Sequence, residues 1–191
     1  MKPTLSAYIL CGGKSSRMGE EKGLVQFQGK TFVQWILEAV YPLVANPVLV
    51  TKNPDYKIFQ LEMISDLISD KGPLGGIYTA LSDSKSDLVL ILSCDIPKIS
   101  SEILAFLLEK SKEAPHKITF LSEGKNDYPL IGIYPKQLLE TVEKSILNGE
   151  LKLRQFVESQ PNQRILLSPD RIQAIQNINT KVQLQSLSQT Y

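Results

Sequence analysis

Two short stretches of this chain carry side chains suited to phosphate chemistry. The first runs Leu10-Cys11-Gly12-Gly13-Lys14-Ser15-Ser16-Arg17-Met18-Gly19-Glu20-Glu21-Lys22-Gly23. Glycines directly after an apolar run let backbone N–H groups approach phosphate oxygens closely. Arg17 can fork onto such oxygens, and Lys22 adds a point charge on the same stretch. The second is Ser93-Cys94-Asp95-Ile96-Pro97. A carboxylate at the end of a buried strand, with Pro97 restricting the backbone after it, suits Mg²⁺, a hard ion that takes few ligands from protein. Asp95 could instead cap a following helix, but Ser100 or Ser101 is the better-placed cap.

Other phosphate and nucleophile systems are excluded by spacing. Gly12-Gly13 lacks the GxGxxG spacing of a dinucleotide fingerprint. Gly13-Lys14-Ser15 resembles the end of a P-loop, yet Tyr8 occupies the position where that motif needs its first glycine. His116 is the single histidine and follows Pro115, so it is expected at the surface or a strand edge, and no Ser-His-Asp or Cys-His system can be built without it. Cys11 and Cys94 do not form a CxxC pair and have no His beside them, so a zinc site is not expected. Both are read as small core residues.

The elements that must position these stretches follow from apolar periodicity. Ser6–Cys11 reads as a buried strand ending in a glycine loop. Thr31 caps a helix whose apolar positions Phe32, Val33, Ile36, Leu37 and Val40 share one face, and Pro42 closes it. Val48–Thr51 is a second strand stopped by Asn53-Pro54, and Ile64 belongs to a short third one. Gly72-Pro73-Leu74-Gly75-Gly76 is a turn opening a helix to about Ser82. Leu88–Leu92 is unbroken Leu-Val-Leu-Ile-Leu, the pattern of a strand buried on both faces. A helix carrying Ile103, Leu104, Phe106, Leu107 and Leu108 follows. Lys117–Leu121 and Leu130–Tyr134 read as strands, Gln137–Leu147 and Leu151–Glu158 as helices, and Ile165–Leu167 as a late strand. A terminal helix starts after Asn179-Thr180. Strands alternating with helices predict a three-layer α/β fold with a mostly parallel sheet, covered on both faces. No repeat or long linker divides it, so residues 1–191 are expected to form one domain. Ligands of such sheets gather at the C-terminal strand ends, where the order reverses. The loops after Cys11, Thr51 and Leu92 are therefore the expected site.

Bulk composition fits. The chain has 191 residues, 42% hydrophobic and 21% charged, with 21 Lys plus Arg against 20 Asp plus Glu. That balance offers no basic surface for nucleic acid, so an anionic ligand has to be held by a local site. No apolar run reaches the roughly 18 residues of a membrane span, and the N-terminal run is shorter than a signal peptide's core of about 7–15 residues. The expectation is a cytoplasmic chain with neither membrane nor nucleic acid as partner.

The pattern Leu10-x-Gly12-Gly13-x-Ser15-x-Arg17-Met18-Gly19-x-x-Lys22 resembles the signature loop of sugar-nucleotide-type nucleotidyltransferases. Its Gly-Gly version is similar to that of the molybdenum cofactor guanylyltransferases, and the likeness extends from Leu10 to about Leu187. Cys11 stands for the usual Ala and Glu21 for the usual Asp before Lys22. Cys94-Asp95-Ile96-Pro97 looks like the family's Cys-Asp-x-Pro segment, which implies that Asp95 binds Mg²⁺. Gly72-Pro73-Leu74-Gly75-Gly76 looks like its Gly-Pro-Leu-Ala-Gly turn, which brings in Gly76. Asp66 resembles by position an Asp that helps recognise guanine, where a carboxylate accepts from base N–H groups. An Asn that touches the nucleotide falls on Thr51 or Asn53. Asn177-Ile178-Asn179-Thr180 resembles the Asn-x-Asn-Thr motif of the pterin side, with Lys181-Val182 in place of the usual Pro-Glu. Tyr128-Pro129 forms a loop where many relatives have another polar residue before Pro.

The resemblance implies a Rossmann-like nucleotidyltransferase fold and transfer of GMP from GTP to the phosphate of molybdopterin or molybdenum-molybdopterin. Pyrophosphate leaves and a molybdopterin guanine dinucleotide forms. Arg17, Lys22 and Asp95 carry the chemistry. Leu10, Cys11, Gly12, Gly13, Lys22, Asn53, Asp66, Gly76, Asp95, Asn177 and Asn179 line the ligand, with Mg²⁺ on Asp95 and other cofactor-biosynthesis proteins as partners. Three rivals stand beside it. A cytidylyltransferase on the same cofactor would carry Ala-Gly where Gly12-Gly13 stands. A sugar-phosphate nucleotidyltransferase is usually longer. A non-catalytic nucleotide-binding regulator would have no need of both Lys22 and Asp95.

Overall fold

The computed structural model of the chain describes residues 3–12, 21–178 and Gln183. Strand β1 (Leu5–Leu10) leads through a small hairpin, β2 (Gln26–Phe27) and β3 (Lys30–Thr31), into helix α1 (Phe32–Val40). Then come β4 (Val48–Val50), β5 (Met63–Ile64), α2 (Gly72–Asp83), β6 (Leu88–Ser93) and α3 (Ser101–Glu113). The second half comprises β7 (Ile118–Glu123), β8 (Asn126–Pro135), α4 (Leu139–Leu147), α5 (Leu153–Ser159) and β9 (Asn162–Leu166). No helix among the described residues is long and apolar enough to cross a membrane.

Seven strands form one sheet in the order β5-β4-β1-β6-β8-β7-β9. β8 alone runs against its neighbours, so the sheet is mostly parallel, as the alternation of strands and helices predicts. Alternate residues serve opposite faces. Ala7, Ile9, Leu88, Leu90 and Leu92 pack under α1 and α3, while Tyr8, Leu10, Val89 and Ile91 pack under α2, α4 and α5. The unbroken apolar run Leu88–Leu92 exists because both faces of β6 are covered. Each such side chain contributes about 1.5–3 kcal/mol by leaving water.

Local chemistry places the helices. Thr31 caps α1 in a capping box: its hydroxyl accepts from the Gln34 N–H, and the Gln34 side chain accepts from the Thr31 N–H at 2.7 Å. Ser100 caps α3 through the Ile103 N–H, which leaves Asp95 without a capping role.

Three features differ from the sequence-based expectation. The β2–β3 hairpin was not foreseen; Gln28 and Gly29, with φ of 49° and 80°, make its two-residue turn. It tucks Val25, Phe27, Phe32 and Ile178 into a small third cluster. Trp35 seals it by donating its indole N–H to the Phe27 carbonyl at 2.8 Å. Tyr128 and Pro129, expected in a loop, lie within β8. The ladder with β7 jumps from the Phe120–Gly132 pair to Leu121–Tyr128, and that bulge lets a residue without an N–H sit inside a strand. β9 starts earlier than the apolar triplet suggests, because Asn162, Gln163 and Arg164 pair with β7 as polar edge residues. The terminal helix expected after Thr180 lies outside the described residues.

Candidate active site

β1 has β4 on one side and β6 on the other, and the chain reaches them in that order from opposite sides of β1. Their C-terminal ends therefore open at the point where the strand order reverses, the place such sheets offer to ligands. Cys11 extends β1 by one bond, its N–H donating to the Val50 carbonyl at 3.0 Å, and Gly12 emerges at the surface.

Among the described residues nothing crowds Gly12. Its φ is not left-handed, and the nearest described atom to a Cβ there would be the Asp66 Oδ2 at 3.9 Å. Asp66 follows β5 and faces that same space. Its carboxyl is raised above the usual range by partial desolvation, which the nearby Lys52 ammonium opposes. The loop holding Asp66 is pinned to α2: the Thr79 hydroxyl accepts from the Leu67 N–H at 3.0 Å and donates to the Gly75 carbonyl.

Gly76 is buried in α2, where a Cβ would lie 3.0 Å from Leu10 Cδ1. Its smallness lets α2 sit against β1, and the Leu10 side chain is taken up by that packing. Asn53 ends β4's loop with its carboxamide oxygen accepting from the Asp55 N–H at 3.0 Å, and its own N–H donates to the Thr51 hydroxyl. Of the two, Thr51 is buried and Asn53 partly exposed.

Opposite this half stands the charged centre. The Lys22 Nζ lies 2.7 Å from Asp95 Oδ2, across 73 residues of sequence. Both side chains are mostly covered, at 22% and 12% exposure, so the pair is held rather than solvated. Ser93, the last residue of β6, donates its hydroxyl to the other oxygen, Oδ1, at 2.7 Å. Asp95 is thus fixed on both oxygens. Its backbone carbonyl accepts from the Ile178 N–H at 2.9 Å, which brings the exposed Asn177 to the same loop. Among the described residues, no three His, Cys, Asp or Glu side chains are grouped to hold a metal. An ion on Asp95 would take its remaining ligands from phosphate and water, which is how Mg²⁺ is commonly held beside a substrate phosphate.

Cys11 and Cys94 are both buried and in no disulfide. Burial first, then the neighbouring Cys94, pushes the Cys11 thiol up, so it stays a protonated core group. His116 is exposed at the far surface loop before β7. Gly13, Arg17 and Asn179 lie outside the described residues. Ser93 went unnoticed in the sequence; its only signal is that a polar residue ends an apolar strand two positions before Asp95.

The MobA-like NTP transferase domain matches residues 7–165, which span β1 to β9. The chain belongs to this family. It is a nucleotidyltransferase, and the charged centre and glycine loop lie within the matched segment. A probable molybdenum cofactor guanylyltransferase of Flavobacterium johnsoniae is 45% identical over 185 residues, covering 97% of each chain. The probable molybdenum cofactor guanylyltransferase of Carboxydothermus hydrogenoformans is 34% identical over 80% of this chain and 76% of its own. The crystal structure of molybdopterin-guanine dinucleotide biosynthesis protein A from Archaeoglobus fulgidus superimposes with a TM-score of 0.82, at 23% identity, covering 96% of this chain and 97% of that one. The MobA-like fold thus accounts for the mostly parallel sheet and its covering helices.

Proposed function

We propose that this MobA-like transferase moves GMP from GTP to the phosphate of molybdopterin, with or without molybdenum already bound, and releases pyrophosphate. The observation that carries the reading is the Lys22–Asp95 pair, 2.7 Å apart at the C-terminal ends of β1 and β6. A cation and a carboxylate fixed there serve a reaction that needs positioning and charge neutralisation more than acid–base chemistry. The names of its relatives in Flavobacterium and Carboxydothermus point to guanylyl transfer.

GTP lies over β1, β4 and β5 in this reading. Gly12 and Gly13 offer backbone N–H groups to its phosphates, and Asp66 accepts from guanine N–H donors. Cys11, Leu10, Asn53 and Gly76 shape the floor of that pocket. An oxygen of the pterin's phosphate attacks the α-phosphorus. The new P–O bond forms as the bond to the bridging oxygen breaks, and pyrophosphate carries away the electron pair. Lys22 and Arg17 stabilise the charge on the transferring and leaving phosphates. Asp95 fits as the ligand for Mg²⁺, an ion that would supply positive charge to the same phosphates when bound. Asn177, beside the Asp95 loop, and Asn179 serve the acceptor in this reading. The seven-stranded sheet that runs from β1 to β9 supports treating residues 1–191 as one domain, and we assign it to the cytoplasm alongside other proteins of cofactor biosynthesis.

The test is molybdopterin-dependent release of pyrophosphate from GTP with Mg²⁺, in the wild-type chain and in Lys22→Ala. Removing one preorganised charge-stabilising group should lower turnover by about 10²–10³, with the melting temperature kept. Near-normal turnover in a folded Lys22→Ala protein would remove Lys22 from the chemistry.

A further inference from the structure

Lys22 opens the short 3₁₀ turn Lys22–Leu24, and its ammonium reaches out of that turn to Asp95. The turn is held from outside by Tyr56, a residue of the 3₁₀ segment Pro54–Phe59 that follows β4. Tyr56 is fully buried. Its hydroxyl donates to the Glu21 carboxylate at a long 3.5 Å. A Cβ on Gly23 would fall 2.6 Å from the Tyr56 Oη and 2.8 Å from Val33 Cγ2, so the turn is pressed directly onto the phenol. The residues on either side of Lys22 therefore both lie against one phenol oxygen. Tyr56 belongs to the same buried cluster as Cys11, the residue before Gly12, and Cys94, the residue before Asp95. Burial, followed by these neighbours, pushes the phenol up, so it keeps its proton and remains a donor.

The glycine loop, the lysine turn and the aspartate loop thus all adjoin the buried side chain of Tyr56 or the cluster it belongs to. We propose that Tyr56 is a positioning residue: its hydroxyl anchors Glu21 and Gly23 so that the Lys22 between them is aimed at Asp95 and at the phosphates beside it. This rests on the nucleotidyl-transfer reading, in which Lys22 acts on phosphate. Tyr56 acts only through Lys22, and the two residues form one functional unit.

A double-mutant cycle tests it. Turnover and KM for GTP are measured in wild type, Tyr56→Phe, Lys22→Ala and the double variant, with melting temperatures alongside. Tyr56→Phe should lower kcat by about 10-fold to 100-fold, the scale of a misplaced reacting group, with KM for GTP changed far less. In the Lys22→Ala background the same change should cost nothing further, because the side chain it aims is gone. Equal losses in both backgrounds, or wild-type kcat in Tyr56→Phe, overturn the inference and leave the catalytic reading standing. Normal turnover in Lys22→Ala sinks the catalytic reading and this inference with it. Should Tyr56→Phe fail to fold, Glu21→Gln loosens the same anchor from the more exposed side, and the cycle is run with it under the same criteria.

Discussion

At the scale of single residues, Asp95 bears the most consequence. Both of its oxygens are engaged, by Lys22 and by Ser93, each at 2.7 Å. Asp95→Asn keeps the shape but removes the charge that pairs with Lys22 and would hold the ion. Turnover should collapse while GTP still binds weakly through the glycine loop, so equilibrium binding and steady-state rate should separate. Added Mg²⁺ or Mn²⁺ should restore part of the rate by mass action. Full activity at ordinary Mg²⁺ would take the ion out of the mechanism. Asp66 makes a different case. Its carboxyl is raised by desolvation, so the folded chain takes up its proton at a pH above the ordinary aspartate range. The sign follows: the unfolded chain ionises Asp66 more readily, so charge on Asp66 disfavours folding at neutral pH, and that penalty fades as pH falls through the raised value. Asp66→Asn should therefore leave the melting temperature unchanged or slightly higher. It should weaken GTP by about 10-fold to 100-fold, the worth of a hydrogen bond to a charged group. In the wild type, titration calorimetry should show GTP affinity declining as pH falls through the same value, and the variant should lack that decline.

Between residue and fold stand the turns that carry the site, and here Gly23 is the sharpest probe. Its Cα lies against Tyr56 and Val33, both buried in the body of the molecule. Gly23→Ala inserts a methyl where neither a fixed ring nor a helix side chain can yield easily. Overpacking of this kind costs about 1–3 kcal/mol, and chemical denaturation should report it. Turnover should fall in the same variant because the displaced turn carries Lys22. An Ala variant as stable and as active as wild type would mean that the turn is loosely held. The helices were legible locally. Thr31 and Ser100 are caps whose hydroxyls bond the first turns of α1 and α3, as their positions before apolar-periodic runs suggest. The β2–β3 hairpin was not legible, since its strands are two residues each and its turn puts Gln28, not a usual left-handed residue, at φ 49°.

For the whole molecule, the sheet brings together ends of strands that are far apart in the chain. Lys22 and Asp95 meet across 73 residues, and Gly12 meets Asp66 across the ends of β1 and β5. A ligand that bridges these ends should stabilise the fold as a unit. In a melting panel of GTP, CTP, UTP and ATP with Mg²⁺, GTP should give the largest shift. At 100 times its Kd it should add about 2.7 kcal/mol, a rise of several degrees for a chain of this length. A larger shift with CTP would move the assignment to cytidylyl transfer.

What the sequence determined by itself was whatever depends on near neighbours. Five apolar residues in a row at Leu88–Leu92 demand burial on both faces, and strand–helix alternation then selects a mostly parallel covered sheet. The glycine loop and Asp95 were recognisable because each sits directly after such a strand, where the chain must turn and a polar group can face a ligand. Only the tertiary structure decided which of these pieces touch. No local rule relates Tyr56 to Lys22 or Lys22 to Asp95, because their distances are set by strand order and register. No local rule distinguishes Gly12, open to the outside, from Gly76, pressed on Leu10, since both are simply glycines until a partner surface is present. Tyr128-Pro129 shows the same division: proline predicts a break, and only the pairing of β7 with β8 shows that a bulge absorbs it within a strand.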